Sequence, residues 1–174
     1  DAKSICLFEI EAPLVAKHAQ AGQFVIFRLD EQGERTPVSV AGYDREKGTV
    51  TVMVQAAGRT TKMLHTVEEG DYIADFVGPL GKATEMDGLK KVCVVGGGVG
   101  CAIAYPIAKE MHEKGIDVTF IAGFRSKDIV ILEDEMKAAS NKSIICTDDG
   151  SYGIKGFTTA LLQQEIDANI AEGR

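Results

Sequence analysis

A cluster of glycines lies directly behind the most continuous apolar strand in the sequence. The strand reads Lys91-Val-Cys-Val-Val95, the cluster Gly96-Gly-Gly-Val-Gly100 follows it, and a helix is predicted from about Val99 to Lys114. Strands without polar alternation are typical of parallel sheets that are covered on both faces. The pattern therefore predicts a strand–turn–helix unit whose turn lets the backbone approach a ligand closely.

The rest of the second half continues this alternation of strands and helices. Strands are predicted over Asp117–Ala122 and Ser143–Thr147, a helix over about Ile131–Ala139, and a last helix from Thr158. Together with the strand before the glycines, they give the βαβαβ order of a nucleotide-binding α/β domain with a parallel sheet. We assign residues 89–174 to this domain.

The first half instead has short runs in which apolar and polar residues alternate. Examples are Ser4–Ile10, Gln23–Leu29 and Thr49–Val54. Runs at this spacing predict an antiparallel sheet that closes into a small β-barrel, interrupted by one helix at about Thr60–Thr66. We assign residues 1–88 to the barrel, and the polar segment Gly81–Leu89 provides the linker.

The charge and hydropathy of the chain limit its partners. Its 26 Asp and Glu residues and 19 Lys and Arg residues give a net charge of −7, which disfavours nucleic acid and anionic membranes. The longest apolar stretch, Val92–Ala108, is shorter than a membrane span, and no signal peptide is present. We therefore predict a cytoplasmic protein without a membrane span. The absence of an initiator Met at Asp1 indicates a processed terminus or a trimmed piece.

The cysteines and histidines show no spacing typical of a metal site. Cys6, Cys93, Cys101 and Cys146 lie far apart in apolar contexts, without a C-x-x-C pair and without a neighbouring histidine. We predict four free, buried thiols in a reducing compartment, no metal ligands, and no iron–sulfur cluster held by these residues.

The glycine cluster predicts a phosphate site in the second half. A pyrophosphate there would meet unpaired amide N–H groups and the positive end of the helix dipole. The third glycine of a G-x-G-x-x-G fingerprint would fall at Cys101, however, and no acidic residue ends the second strand. A simple tight turn is the alternative, but the βαβ context favours dinucleotide binding.

Two further positions follow the later strands, at the sheet edge where ligands bind in such folds. Arg125 can reach a phosphate or stack on an adenine, or it is an ordinary surface arginine. Asp149, within Thr147–Gly153, can hold a ribose hydroxyl, or it forms an Asx turn.

Two motifs in the first half are weaker when each is taken alone. Gly58-Arg-Thr-Thr61 opens a helix behind a strand, which suits an anion, although plain N-capping by threonine is the favoured explanation of this motif by itself. Arg35-Thr-Pro-Val-Ser39 begins a strand, and by itself it indicates an edge strand that contains a proline.

As an ordered set over nearly the whole chain, these motifs resemble the ferredoxin–NADP reductase superfamily of flavoproteins. The resemblance is closest to the alpha (small) subunit of NADH-dependent ferredoxin–NADP oxidoreductase, also known as a sulfide dehydrogenase subunit, and more distant to the dihydroorotate dehydrogenase electron-transfer subunit. The stretches that carry it are Ile10–Leu14, Gly22–Val25, Arg35–Ser39, Gly58–Thr61, Glu69–Asp71, Gly78–Gly81, Gly96–Gly100, Gly123–Ser126 and Thr147–Ser151.

The resemblance implies an FAD site in the barrel. It places Ser39 near flavin N5 and Val38 against the isoalloxazine, with Thr36 at the usual arginine position and Arg35 one residue early. The implied FAD-binding residues are Arg35, Thr36, Pro37, Val38, Ser39, Val54, Gln55, Gly58, Thr60 and Thr61, the last two facing the pyrophosphate.

It also implies an NAD(P)H site in the α/β domain, with Gly97, Gly98 and Gly100 in the nucleotide loop and Arg125 and Asp149 near the adenosine ribose. The preference between NAD and NADP stays open. No catalytic side chain is expected, because the two cofactors carry the chemistry.

The function implied is that of an FAD-dependent NAD(P)H oxidoreductase, an electron-transfer subunit in a larger heteromeric complex. Electrons would pass between NAD(P)H and FAD and on to a larger flavoprotein or ferredoxin-type partner with an iron–sulfur or flavin acceptor. Full-length relatives continue into a [2Fe–2S] segment whose ligands are absent from this chain. Alternatives are a non-catalytic NAD(P)-binding module, a truncated structural subunit, or the dihydroorotate dehydrogenase context.

Overall fold

The computed structural model describes residues 5–171, which fall into two compact units. The chain divides between Glu85 and Met86, whereas the sequence predicted the division after residue 88. Ser4, at the start of the first predicted strand, lies outside the described residues. Residues 1–4 of the predicted barrel and residues 172–174 of the predicted α/β domain lie outside them as well.

The first unit contains an antiparallel sheet with the strand order β1-β4-β3-β2-β5. Its described elements are β1 (Ile5–Glu11), α1 (Pro13–His18), β2 (Phe24–Arg28), β3 (Thr36–Asp44), β4 (Thr49–Gln55), α2 (Arg59–Leu64) and β5 (Asp75–Leu80). The alternating runs of the sequence form these strands because every second side chain of a strand points to the same face.

One hydrophobic core serves the whole sheet. Val50, Val52 and Val54 of β4 are buried in it together with Phe27 of β2. Side chains from the two outermost strands, Phe8 and Ile10 of β1 and Phe76 of β5, pack against the same cluster. The sheet therefore curls around a single interior, as expected for a small barrel. Each fully buried valine or phenylalanine contributes roughly 1.5–3 kcal/mol through its removal from water.

The first unit has a second helix that the sequence did not predict. α1 begins at Pro13, whose fixed φ suits the first turn of a helix, and it buries Val15 and Ala16. The guanidinium of Arg45 donates to the carbonyl oxygen of Ala19 at 2.8 Å, just beyond the end of α1. A six-residue helix is too short to give a periodic signal, and tertiary packing stabilises it instead.

The second unit contains a parallel sheet with the order β6-β7-β8-β9. Its described elements are β6 (Lys91–Gly97), α3 (Cys101–Glu113), β7 (Asp117–Phe124), α4 (Glu133–Ala138), β8 (Lys142–Thr147), β9 (Ile154–Lys155) and α5 (Thr158–Ala171). A 3-10 turn over Gly98–Gly100 leads into α3. The register pairs Gly97 with Gly123 and Phe124 with Thr147, so the strands end at one edge of the sheet.

The strands of this sheet differ in how completely they are covered. Residues 118–122 of β7 are all buried, as a strand covered on both faces requires. The same prediction for β6 is wrong, because Cys93 is exposed and the side chain of Val95 keeps 39% of its exposure. β6 lies at the sheet edge, and an apolar sequence does not by itself distinguish an edge strand from a central one.

Among residues 5–171, no helix combines the length and the apolar character that crossing a bilayer requires.

Two glycines of the second unit allow a matched test of backbone packing. Gly115 and Gly153 both have positive φ, +81° and +62°, but a Cβ on Gly153 would lie 2.2 Å from the carbonyl oxygen of Ile145, whereas a Cβ on Gly115 meets nothing within 4 Å. Gly115→Ala should cost about 1–2 kcal/mol, the penalty of the left-handed conformation. Gly153→Ala should cost at least about 2 kcal/mol more, because its neighbour is backbone. Urea unfolding of both variants measures the difference, and equal losses would contradict the packing described.

Candidate functional site

The ladder between β3 and β4 opens at one end. Residues 40–44 of β3 pair with β4, whereas residues 36–39 pair with β2 instead. The β3–β4 pairing shifts register between Val40 and Gly42, as a β-bulge does. β4 nevertheless continues to Gln55, paired with β1 on its other side. We call the opening between residues 36–39 of β3 and residues 53–55 of β4, which do not pair with each other, the slot.

The slot brings together the positions predicted to line a flavin. Since Val40 pairs with Val52, continuing the two strands brings Val38 opposite Val54. Val54 is buried, Val38 and Ser39 are half-buried, and Gln55 is exposed at the end of β4. Thr36 and Pro37 lie on the same wall as Ser39, paired with Phe27 and Ile26 of β2. Only the fold could show that these two strand segments part from each other.

The segment from the end of β4 into α2 is held by one threonine. Thr61 Oγ1 accepts hydrogen bonds from the N–H groups of Ala57 and Gly58, at 3.0 and 2.9 Å, and it donates to the carbonyl oxygen of Gly58. The N-cap residue of α2 is Gly58, and Thr61 at the third helical position bonds back to it, as in one half of a capping box, which differs from the plain threonine N-cap that the sequence offered as an alternative. The N–H groups of the first turn of a helix have no partner within the helix.

The other threonine of the predicted pair donates a hydrogen bond to a carboxylate. The hydroxyl of Thr60, a buried side chain, donates to Glu34 Oε2 at 2.7 Å. An anionic oxygen therefore already binds the hydroxyl that the sequence assigns to a phosphate. Glu34 immediately precedes Arg35, but nothing in its sequence context indicated this contact.

The arginine of the predicted flavin motif belongs to an ion-pair group across β2, β3 and β5. Asp75 binds Arg28 Nε at 2.6 Å and a terminal nitrogen of Arg35 at 3.2 Å. The hydrogen bond from Arg28 holds the pKa of Asp75 below its usual range. The Arg35 side chain keeps 60% of its exposure, so its guanidinium is oriented by Asp75 and remains accessible to an anion. The sequence did not identify Arg28 or Asp75, because their charges come from separate strands.

In the second unit, the predicted nucleotide positions gather at the carboxyl edge of the sheet. The glycine turn follows β6, Arg125 follows β7, and Asp149 lies just after β8. The loops behind β7 and β8 contact each other directly, since the N–H of Asp148 donates to the Phe124 carbonyl at 3.0 Å and the N–H of Asp149 to the Arg125 carbonyl at 3.3 Å.

The glycines of the cluster have different physical roles. A Cβ on Gly96 would lie 3.0 Å from the Cα and the Sγ of Cys101, so Gly96 permits close packing of β6 against α3. A Cβ on Gly98 or Gly100 would meet nothing within 4 Å, and Gly98 has φ +53°. Gly97 is nearly as open, with the Gly123 carbonyl 3.9 Å away. Gly97, Gly98 and Gly100 therefore leave open backbone at the start of α3, where a diphosphate would bind.

Asp149 forms a local turn in which its carboxylate is already bound. Its Oδ1 accepts from the backbone N–H of Ser151 at 2.9 Å and from the Ser151 hydroxyl at 2.6 Å. The hydroxyl contact, followed by the backbone contact, lowers the pKa of Asp149. The Asx turn offered as an alternative by the sequence is thus present, and Asp149 and the exposed Arg125 share one edge.

Lys127 and Tyr152 also occupy this edge, although the sequence did not assign them. The Lys127 N–H donates to the Ser151 hydroxyl at 2.8 Å, and its ammonium lies 5.2 Å from the centre of the Tyr152 ring. The Tyr152 hydroxyl donates to Glu133 Oε1 at 2.8 Å, and this contact raises the tyrosine pKa. The sequence feature that could have identified them is their position: Lys127 lies two residues after Arg125, and Tyr152 lies in the loop after β8.

The cysteines differ in exposure more than the sequence predicted. All four are free, and Cys101 and Cys146 are buried as expected. The prediction of burial is wrong for Cys93, which is exposed, and Cys6 is half-buried. Within the described part of the chain, no three Cys, His, Asp or Glu side chains gather as a metal site would require.

Comparison with known proteins finds relatives that align over most of the chain. No protein-family model matches the chain. The chain is 46% identical over 158 residues to the electron transfer subunit homolog of dihydroorotate dehydrogenase B (NAD(+)) from Thermotoga maritima, covering 91% of the chain and 56% of the relative. It is 35% identical over 169 residues to the electron transfer subunit of that enzyme from Fusobacterium nucleatum, with coverages of 94% and 64%.

Solved structures show the same fold. A chain of the NADH-dependent reduced ferredoxin-NADP oxidoreductase superposes with a TM-score of 0.87 and 40% identity, covering 92% of this chain and 58% of that one. The Amycolatopsis cytochrome P450 reductase GcoB, at 20% identity and a TM-score of 0.74, shares the fold. The antiparallel sheet and the parallel sheet thus form a ferredoxin reductase-like fold, and the resemblance to that superfamily is confirmed. The chain spans 56–64% of the length of these two curated relatives.

The Asp149 turn predicts a measurable titration. Because the folded pKa is depressed, this carboxylate stabilises the fold above its unfolded pKa of about 3.9, and the contribution is lost as the pH falls through the folded pKa. Ser151→Ala should raise the Asp149 pKa toward the unfolded value, since the hydroxyl contact is its largest cause. Carboxyl-carbon NMR titration measures it, with Ser140→Ala, whose hydroxyl bonds Met136 instead, as the control. An unchanged Asp149 titration in Ser151→Ala would refute the assignment.

Proposed function

Starting from the ferredoxin reductase-like fold, we propose that this chain is the flavin- and nicotinamide-binding part of an electron-transfer subunit. It would act as an FAD-dependent NAD(P)H oxidoreductase that passes electrons on to an iron–sulfur or flavin partner. The observation that carries the proposal is the slot between β3 and β4, whose walls hold the flavin positions predicted from the sequence.

The slot suits a flat heterocycle with polar edges. A ring bound there would meet the facing backbone edges of β3 and β4, on which the Val54 carbonyl already accepts a hydrogen bond from His65 Nε2. Val38 supplies an apolar surface, and the hydroxyl of Ser39 can donate a hydrogen bond to a ring nitrogen. These residues would bind and orient FAD, since a flavin supplies the hydride and single-electron chemistry itself.

The diphosphate of FAD would bind next to the slot. Arg35, whose exposed guanidinium now pairs with Asp75 of β5, would contact this diphosphate, and the first turn of α2 would supply N–H groups. The Glu34 carboxylate now accepts the Thr60 hydroxyl. A phosphate oxygen would replace Glu34 on that hydroxyl, because two anions that share one donor repel each other.

NAD(P)H would bind at the carboxyl edge of the second unit. The open backbone of Gly97, Gly98 and Gly100 suits its diphosphate, and Arg125 and Asp149 suit the adenosine ribose. The acceptor would belong to a larger flavoprotein or ferredoxin-type partner.

The first test is cofactor loading followed by reduction. The chain mixed with FAD should retain visible flavin absorbance after gel filtration, and anaerobic NADH or NADPH should bleach it. Ser39→Ala should still bind FAD but should be reduced about tenfold more slowly, the effect of losing one hydrogen bond to the ring. Ser140→Ala, whose hydroxyl bonds a backbone carbonyl of the second unit, is the control. A protein that binds nucleotide but no flavin would support the non-catalytic module instead.

The second test concerns the choice between NADH and NADPH. If Arg125 binds the 2′-phosphate, Arg125→Ala should raise the KM for NADPH at least about tenfold, the cost of a lost charge-assisted hydrogen bond, and leave the KM for NADH nearly unchanged. Lys127→Ala removes a neighbouring positive charge and controls for a general electrostatic effect. Equal losses with both nucleotides would show that Arg125 contacts a part common to them.

A further inference from the structure

A thiol and an imidazole meet in the first unit, beside Val54 of β4. Cys6 on β1 and His65, the residue after α2, are 59 positions apart in sequence, yet the Cys6 Sγ lies 3.3 Å from His65 Nδ1. Within residues 5–171, the structure shows no contact with a histidine for Cys93, Cys101 or Cys146.

The second ring nitrogen fixes the tautomer of His65. Its Nε2 lies 3.0 Å from the carbonyl oxygen of Val54. A carbonyl oxygen only accepts hydrogen bonds, so Nε2 carries a hydrogen. In the neutral ring Nδ1 then has the lone pair, and the Cys6 thiol donates to it. This arrangement lets the imidazole take the thiol proton and hold the thiolate through a charge-assisted hydrogen bond.

Three elements hold the pair in place. Val54, whose carbonyl orients the ring, is the cross-strand partner of Cys6 in the β1–β4 ladder. Phe8 follows Cys6 on the same face of β1, and its ring lies 5.8 Å from the His65 ring at an angle of 57°. The backbone of His65 continues α2 with φ −70° and ψ −5°. Nucleophile and base are therefore positioned by regular structure, as an activated thiol requires.

The environments of the other three thiols disfavour the thiolate. Burial raises the pKa of Cys101 to about 12 and also raises the pKa of Cys146. Cys93 is exposed, but desolvation and the nearby carboxylate of Glu165 raise its pKa as well. Cys6 is half-buried, and the imidazole of His65 lies beside its thiol.

We propose that Cys6 is a site of reversible S-thiolation by low-molecular-weight disulfides, with His65 as its base. His65 Nδ1 takes the thiol proton, and the Cys6 thiolate attacks one sulfur of the disulfide. A new sulfur–sulfur bond forms, the original one breaks, and the departing thiolate takes the proton from the imidazolium. Atoms and electrons balance, because the disulfide is the oxidant and one of its halves leaves as a thiol. The inference does not depend on the proposed flavin chemistry.

The test follows the rate of adduct formation at each cysteine. The reduced chain, with no cofactor added, is mixed with oxidised glutathione at neutral pH, quenched with acid and analysed by peptide mass spectrometry. Each rate is divided by the rate of the same cysteine in the urea-unfolded chain, which removes differences in intrinsic reactivity. We expect this ratio to be at least about tenfold higher for Cys6 than for Cys93, since the thiolate is the attacking species.

Two variants separate an active base from a structural contact. His65→Gln keeps an amide donor for the Val54 carbonyl and removes the base, so it should slow thiolation of Cys6 at least about tenfold and leave Cys93 unchanged. Cys6→Ser should keep the hydrogen bond and lose the adduct. Preferential modification of Cys93, or an unchanged Cys6 rate in folded His65→Gln, overturns the proposal. If circular dichroism shows that His65→Gln is unfolded, the Cys6 to Cys93 ratio of the native chain decides alone.

Discussion

The change of partner along β3 is the constraint on which the candidate flavin site depends. Residues 40–44 of this strand pair with β4, and residues 36–39 pair with β2. The sheet stays intact because β1 continues to pair with β4 as far as Gln55. The opening therefore separates two facing strand edges without unfolding either strand, and on the β4 edge the Val54 carbonyl accepts a hydrogen bond from His65 Nε2.

Carboxylates hold the groups that a diphosphate would meet in the first unit. Asp75 orients the guanidinium groups of both Arg28 and Arg35, and Glu34 accepts the hydroxyl of Thr60. In a chain with a net charge of −7, these contacts limit the free positive potential until a more highly charged anion displaces them. The second unit differs from the first. Its predicted phosphate position is open glycine backbone before α3, and its carboxylate, Asp149, is hydrogen-bonded within its own turn.

Sequence periodicity predicted the main elements wherever the pattern was long. The alternation in Thr49–Val54 became β4 with its valines buried in one core, and the apolar run Asp117–Ala122 became the buried strand β7. Two errors came from features without a local signal. The helix α1 is too short for periodicity to register, and the exposed side of β6 depends on its place at the edge of the sheet.

The classes of the two halves, the position of the glycine turn and the residue types suited to flavin and nucleotide follow from the order of the amino acids. Periodicity, glycine and charge act over a few neighbouring residues and can be recognised there. Folding was needed to show that β3 separates from β4, that Asp75 and Glu34 bind the residues assigned to phosphate, and that Cys6 contacts His65 across 59 positions. These contacts depend on register and strand order, which bring distant residues together through packing of the whole sheet rather than through local preference.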